Sequence, residues 1–190
     1  VSISHVERST IVDMPSEGFW STQGLKSAVN NSLLSGFEEN GSTYIKPNDP
    51  LTRAQMLTVV NHAFGTKELA SISGVDDVSS SSWYYNDIQK SIKMGSIALD
   101  SKIRPNDSIT REEAITILVN ILKIEPGTTS DLARFSDLSD VSTWAIPAMA
   151  SMVKAGYLNG TKNLLSPKAT MTRAEFCVIM DNVIKVYITN

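Results

Sequence analysis

The residues best suited to bind an anion are three arginines that share one local sequence. The pattern Pro-x4-Thr-Arg-x-Glu/Gln occurs at residues 47–55, 105–113 and 167–175, and it contains Arg53, Arg111 and Arg173. In each copy the threonine and the acid or amide have capping-box spacing: the hydroxyl accepts from a free helical N–H, and the acid or amide reaches back. The pattern therefore predicts a helix that starts at each arginine.

Capping explains the threonine and the acid or amide, but it does not explain the arginine. A cation in the first helical turn is disfavoured by the positive end of the helix dipole, yet all three copies place one there. Free backbone N–H groups together with a guanidinium suit a carboxylate. We therefore expect the arginines to bind an anionic ligand, and we expect the replacement of Arg53 or Arg173 by Ala to leave the fold nearly intact. Glu112, beside Arg111, is expected to oppose anion binding at the second copy.

Three further residue types recur upstream of each motif. They are an aspartate, a tryptophan and a glycine: Asp13, Trp20 and Gly36; Asp77, Trp83 and Gly95; Asp137, Trp144 and Gly156. Each type has two interpretations. The tryptophan packs in the core or offers its ring face to a sugar, and the aspartate caps the following turn or contacts ligand. The main interpretation of the glycine is that it ends a helix, and the secondary one is that it permits close approach of a ligand.

These positions define a repeat of about sixty residues, because the threonines lie 58 and 62 residues apart. The predicted repeats are residues 8–67, 68–129 and 130–190, each a helix, a loop and a second helix. The second helices, which follow Thr-Arg, have apolar residues over more than half of their circumference and are expected to be central. In the first repeat sixteen residues rather than twelve separate tryptophan from glycine. That difference predicts a first helix about one turn longer.

A single repeat could not cover so wide an apolar face. The three central helices are therefore expected to pack together, giving one all-α, pseudo-threefold bundle with three lobes.

Composition excludes several classes of partner. With 17 basic and 20 acidic residues and a net charge of -3, the chain lacks the broad basic field that nucleic acid or an anionic membrane surface requires. No apolar run approaches the roughly 20 residues of a membrane span. The start, residues 1–5, lacks the order of a signal peptide, so a processed protein or a fragment is expected.

Catalysis has little support in the sequence. His5, His62 and Cys177 occur in unrelated contexts, so no nucleophile–base pair, metal site or cofactor is predicted. Cys177, on the most apolar helix, is expected to be a small buried hydrophobe. The repeated acids could form a glycosidase pair, but three equivalent copies favour multivalent binding over one asymmetric active site.

The order hydrophobic-x-Asp at 11–13, 75–77 and 135–137, then Trp, Gly and Pro-x4-Thr-Arg-Ala-Glu, resembles the S-layer homology repeat. Three tandem copies cover nearly everything from Ile11 onward. The resemblance implies a secreted, non-catalytic module that anchors a surface protein to a bacterial cell-wall polysaccharide. That polymer commonly bears pyruvylated N-acetylmannosamine, held in grooves between lobes by the Arg, Asp, Trp and Gly positions.

Two alternatives remain open beside anchoring. One is an S-layer protein–protein assembly module, and the other is a wall-active glycosidase. Self-association through regions outside this chain is also compatible with the resemblance.

Overall fold

The computed structural model describes residues 11–189, with side chains as far as residue 185. In chain order the elements are α1 (Thr22–Asn30), β1 (Phe37–Glu39), β2 (Ser42–Tyr44), α2 (Arg53–Phe64), α3 (Tyr85–Met94), α4 (Arg111–Leu122), α5 (Ile146–Lys154) and α6 (Arg173–Thr189). Short 3-10 turns cover Thr129–Leu132 and Leu138–Asp140. The predicted helical character is confirmed. Residues 8–10 of the predicted first repeat, His5 and Asn190 lie outside the described residues.

The three central helices begin where the capping boxes predict. Thr52 Oγ1 accepts from the Gln55 N–H at 3.2 Å, and Gln55 Oε1 accepts from the Thr52 N–H at 3.1 Å. The same reciprocal bonds join Thr110 to Glu113 and Thr172 to Glu175. Short-range sequence therefore fixes the first turns of α2, α4 and α6.

Each central helix packs against the first helix of a neighbouring repeat. α3 lies on α2, α5 lies on α4, and α1 lies on α6, which returns the start of the chain to its end. Gly24 permits this last approach, because a Cβ there would lie 2.9 Å from the Val178 backbone. α2 also contacts α4, so the central helices pack against first helices as well as against each other. The expectation that all three central helices pack together stays a prediction.

Equivalent backbone hydrogen bonds join the segments just before the three central helices. The N–H of Leu51 donates to Met171 O, that of Ile109 to Leu51 O, and that of Met171 to Ile109 O, each at 2.9 Å. All three side chains are fully buried. The three repeats thus meet in a closed ring of hydrogen bonds at the N-terminal ends of α2, α4 and α6.

The same loops satisfy the first amides of the central helices. The N–H groups of Arg53, Arg111 and Arg173 donate to backbone carbonyls of another repeat at 2.9–3.0 Å. The next N–H in each helix also donates to a carbonyl, and the third donates to the capping threonine. The expectation that these helix ends offer free N–H groups to a ligand was therefore wrong.

The extra residues of the first repeat form a hairpin and not a longer helix. α1 has nine residues, as α5 does, and α3 has ten. Ser32 adopts φ 56°, as Gly95 and Gly156 adopt φ 74° and 78° after the other first helices. Gly36 was therefore assigned to the wrong position, because Ser32 is the equivalent of Gly95. The additional length lies in the hairpin of β1 and β2, where Phe37 pairs with Tyr44.

Candidate ligand-binding grooves

Three surface grooves contain the arginines, and each groove takes residues from all three repeats. The Arg53 groove is formed by Arg53, the loop 96–104, α4 and Trp144. The Arg111 groove is formed by Arg111, the loop 157–161, α6 and Trp20. The Arg173 groove is formed by Arg173, the segment 33–37, α2 and Trp83. An arginine and a tryptophan that share a groove therefore never come from the same repeat.

The grooves are large enough for one sugar residue or a few. Their volumes are about 310, 520 and 350 Å³ for the Arg53, Arg111 and Arg173 grooves. These values fall at the lower end of the range usual for small-molecule sites.

Each arginine is fixed by the loop that forms one wall of its groove. Its Nε donates to a loop carbonyl: Arg53 to Ile103 O at 2.8 Å, Arg111 to Leu165 O at 3.0 Å, and Arg173 to Ile45 O at 2.7 Å. Because removal of the guanidinium would leave these partly or fully buried carbonyls without a partner, the arginines contribute to stability. The expectation that their removal leaves the fold nearly intact does not fit this geometry.

The aspartates fix the same loops from the other side. Each accepts two backbone N–H groups 26–33 residues further along the chain: Asp13 from Ile45 and Lys46, Asp77 from Ile103 and Arg104, and Asp137 from Leu165 and Ser166, at 2.6–2.9 Å. The first residue of each pair is the one whose carbonyl holds the arginine. None of the three aspartates lines a groove. They hold the loop in place and do not cap the turn that follows them. Ligand contact by the aspartates stays a prediction.

The tryptophans lie on the surface. Trp20, Trp83 and Trp144 are 57%, 64% and 55% exposed, one in each groove. An indole so exposed contributes little to a core, so the packing interpretation does not account for these positions. An exposed ring beside fixed polar groups has the arrangement that stacks on the apolar face of a sugar. Ligand contact by the tryptophans stays a prediction.

The predicted glycines differ in their relation to the grooves. Gly36 lines the Arg173 groove, and a Cβ there would lie 2.4 Å from Thr43 Cγ2. Gly95 and Gly156 end helices and do not line a groove, although the residues that follow them do. Gly160 takes the groove position in the third repeat.

A carboxylate accompanies two of the arginines. Arg111 NH1 lies 3.0 Å from Glu175 Oε1, and Arg53 NH1 lies 3.4 Å from Glu113 Oε1. Arg104 also pairs with Glu113. Burial alone would raise the pKa of Glu113, but the Thr110 N–H and the two guanidinium groups outweigh burial and lower it. Burial lowers the pKa of Arg53, and Glu113 opposes that effect.

Arg173 has different surroundings. Its NH2 donates to Ser35 O at 3.0 Å, and its guanidinium lies 4.7 Å from the centre of the Phe37 ring. The residue that corresponds to Glu113 and Glu175 is Gln55. Among the residues that the structure describes, no carboxylate lies within ion-pair distance of Arg173. Burial lowers the pKa of Arg173, since only 3% of the residue is exposed.

Glu112 does not face the Arg111 guanidinium. It is buried, and its carboxylate accepts from Ser142 N and Ser142 Oγ, both at 2.9 Å, and pairs with Lys168. The other repeats have Ala54 and Ala174 at this position. The expectation that Glu112 opposes anion binding from beside Arg111 does not fit this geometry, because Glu112 joins the second repeat to the third instead.

The three grooves contain hydrogen-bond donors, acceptors and exposed aromatic rings. Cys177 is buried, and burial raises its pKa to about 12, as expected for a small core residue. Among residues 11–189 no group of His, Cys, Asp and Glu side chains has the arrangement of a metal site. Within the same residues, no helix is both long and apolar enough to cross a membrane. The geometry supports binding.

The family model of the S-layer homology domain aligns with residues 76–115 and 134–177. Both segments are S-layer homology domain sequence. Each contains the Asp, the Trp, the loop and the Thr-Arg motif that build the grooves. The first repeat lies outside the matched segments, and it is the repeat that carries Gln55, Ser32 and the hairpin.

The chain is also similar to regions of much longer proteins. The chain is 31% identical over 166 residues to an amylopullulanase of Thermoanaerobacterium thermosulfurigenes, and 31% over 170 residues to exoglucanase XynX of Acetivibrio thermocellus. It is 28% identical over 173 residues to the surface-layer 125 kDa protein of Lysinibacillus sphaericus. These alignments cover 85%, 85% and 87% of this chain but only 9%, 15% and 14% of the relatives. Residues 76–190 make up less than two thirds of the chain, so the alignments include part of the first repeat.

Two groove positions were not singled out from the sequence as ligand contacts. The first position is occupied by Gln55, Glu113 and Glu175, and from the sequence it was interpreted only as part of the capping box. The second is His62, Asn120 and Asn182, seven residues further along each central helix, and all three line grooves. Each of these three residues lies nine positions after the arginine of its helix, and each is polar within an otherwise apolar stripe. These two features would have identified the second position from the sequence.

Proposed function

We propose that the whole chain is a module of three S-layer homology repeats that anchors a bacterial surface protein non-covalently to the cell wall. The ligand is an anionic secondary cell-wall polysaccharide, with a pyruvylated N-acetylmannosamine residue as the recognised unit. The protein is secreted and has no catalytic role. The polysaccharide is its partner, and any self-association uses regions outside this chain.

The three repeats form a pseudo-threefold body with three lobes in this proposal. The ring of hydrogen bonds through Leu51, Ile109 and Met171 supports it. The return of α1 onto α6 supports it as well, because that pairing gives the first and third repeats the same contact that joins the others.

One observation carries the functional proposal: three grooves each combine a loop-fixed arginine with a more than half-exposed tryptophan. An indole face and a guanidinium suit a sugar that bears a carboxylate. Three such grooves on one body give avidity for a repeating polymer even when each binds weakly.

The test is cosedimentation with protein-free wall sacculi before and after chemical extraction of the secondary polymer. We expect the chain to pellet with intact sacculi and to stay in solution with extracted ones. Replacement of all three groove tryptophans by alanine should abolish pelleting. The matched control is Leu69→Ala, since Leu69 is 49% exposed and lines none of the three grooves. Release of reducing ends from the polymer would instead indicate a glycosidase, and equal binding to extracted sacculi would exclude the polysaccharide.

A further inference from the structure

The three grooves differ in charge at the two groove-lining positions of their central helix. The Arg53 and Arg111 grooves have an acid and an asparagine, Glu113 with Asn120 and Glu175 with Asn182. The Arg173 groove has Gln55 and His62 instead. The first difference makes that groove more positive, because it removes a negative charge.

Each glutamate has one oxygen for the cap and one for the groove. Glu175 Oε2 accepts from the N–H and hydroxyl of Thr172, at 2.9 and 3.0 Å, while its Oε1 accepts from Arg111 NH1. Glu113 divides its oxygens in the same way between Thr110 and the guanidinium groups of Arg53 and Arg104. A ligand carboxylate at Arg111 would have to compete with a fixed carboxylate already bound there.

The cap determines which way the Gln55 amide points. The Thr52 N–H needs an acceptor, so Gln55 Oε1 must face it, as the 3.1 Å bond shows. The Nε2 amino group is then the end of the side chain that corresponds to Glu175 Oε1. Where the Arg111 groove presents an acceptor, the Arg173 groove presents two further N–H donors.

Nothing in the described residues neutralises Arg173 within its groove. The acids that act on it electrostatically, Asp49 and Asp13, do not line the groove, and Asp13 is engaged by the N–H groups of Ile45 and Lys46. Phe37 covers one face of the guanidinium and keeps it partly desolvated. A buried cation without an opposing charge gains most from an anionic ligand.

We propose that the Arg173 groove binds the carboxylate-bearing residue of the wall polymer, and that the Arg111 groove binds a neutral sugar residue. This inference rests on the proposed function and divides the ligand between two grooves. The Arg53 groove lies between these extremes, because Lys102 and Arg104 share it with Asp100 and Glu113.

The chain carries its own reporters for a test. Its three tryptophans lie one in each groove, so their indole N–H signals in an NMR titration report the grooves separately. Single Trp→Phe variants assign the signals. The probes are pyruvylated N-acetylmannosamine and the unmodified sugar. We expect the pyruvylated sugar to shift the Trp83 signal at a concentration at least about tenfold below that needed for Trp20, and the unmodified sugar to show no such preference.

Two reciprocal variants test the assignment. Gln55→Glu installs the residue that the other repeats carry, so it should fold normally and should remove the preference of the pyruvylated sugar for the Trp83 groove. Glu175→Gln should create that preference at Trp20. The proposal is overturned if the pyruvylated sugar affects Trp20 and Trp83 equally, or if Gln55→Glu leaves the Trp83 response unchanged.

Failure of this inference is distinguishable from failure of the proposed function. If Gln55→Glu leaves sugar binding unaltered while the protein still pellets with intact sacculi, only the proposed division of the ligand between grooves is rejected. Wild-type protein that pellets equally with extracted sacculi rejects the function itself.

Discussion

The Arg173 and Arg111 grooves have the same backbone architecture but differ in net charge. In both, a loop carbonyl fixes the arginine Nε, an exposed tryptophan comes from another repeat, and a capping box starts the central helix. The Arg111 guanidinium is paired with Glu175, whereas the Arg173 guanidinium lies on Phe37 opposite Gln55. The residue that completes the capping box therefore also sets the charge of the groove. An amide and an acid make the same capping contacts here, yet they give the groove different charges.

The largest expected effect concerns stability. Arg173→Ala removes two hydrogen bonds to carbonyls, those of Ile45 and Ser35, together with the contact to Phe37. We expect a loss of about 2–4 kcal/mol in the free energy of unfolding. Arg111→Ala removes one such bond and a partly exposed ion pair, so it should cost about 1–2 kcal/mol. Urea denaturation of both variants measures the difference.

Lysine variants separate charge from geometry in this comparison. Arg173→Lys keeps a cation but cannot reproduce the fork of donors that reaches both carbonyls, so it should recover less than half of the loss. An Arg173→Ala protein as stable as wild type would show that the loops do not depend on the guanidinium.

A second prediction tests the source of the charge difference. Glu112→Ala gives the second repeat the residue that the other two have at this position, and it removes the acceptor of the Ser142 N–H and hydroxyl. We expect a loss of about 1–3 kcal/mol in the free energy of unfolding, because the partly buried N–H of Ser142 loses its acceptor. Binding at the Arg111 groove should not change, since Glu112 does not face Arg111.

The matched control for that change is Glu175→Gln, which alters the groove and leaves the Ser142 contacts in place. Stronger binding of pyruvylated sugar at Trp20 in Glu112→Ala would assign the negative charge of the groove to Glu112 rather than to Glu175.

Local features of the fold were predictable from the sequence, and features that depend on distant partners were not. The starts of α2, α4 and α6 follow from a capping threonine and an acid or amide three positions later. The partner of each central helix could not be predicted, because an apolar stripe specifies burial but not which helix covers it. For the same reason the sequence could not show that an arginine and a tryptophan in one groove come from different repeats.

The aspartates and Gly36 show two further limits of local reasoning. Asp13, Asp77 and Asp137 were compared with helix caps, but they bind amides 26–33 residues away. Gly36 was matched to Gly95 because a glycine commonly ends a helix. The chain uses Ser32 in the left-handed conformation at that point instead. Serine is uncommon in the left-handed conformation, so the residue type at position 32 did not indicate that a hairpin follows α1.

The second groove-lining position should matter less than the first. There the Arg173 groove has His62, whereas the other two grooves have Asn120 and Asn182. His62 is exposed, so any contact that it makes with a ligand competes with water and should contribute little to binding. His62→Asn installs the residue of the other two grooves, and we expect the affinity of the pyruvylated sugar in the Trp83 titration to change by no more than about twofold. Gln55→Glu, which changes the charge of the same groove, is the comparison. A larger loss in His62→Asn than in Gln55→Glu would assign the preference for the pyruvylated sugar to His62 rather than to Gln55.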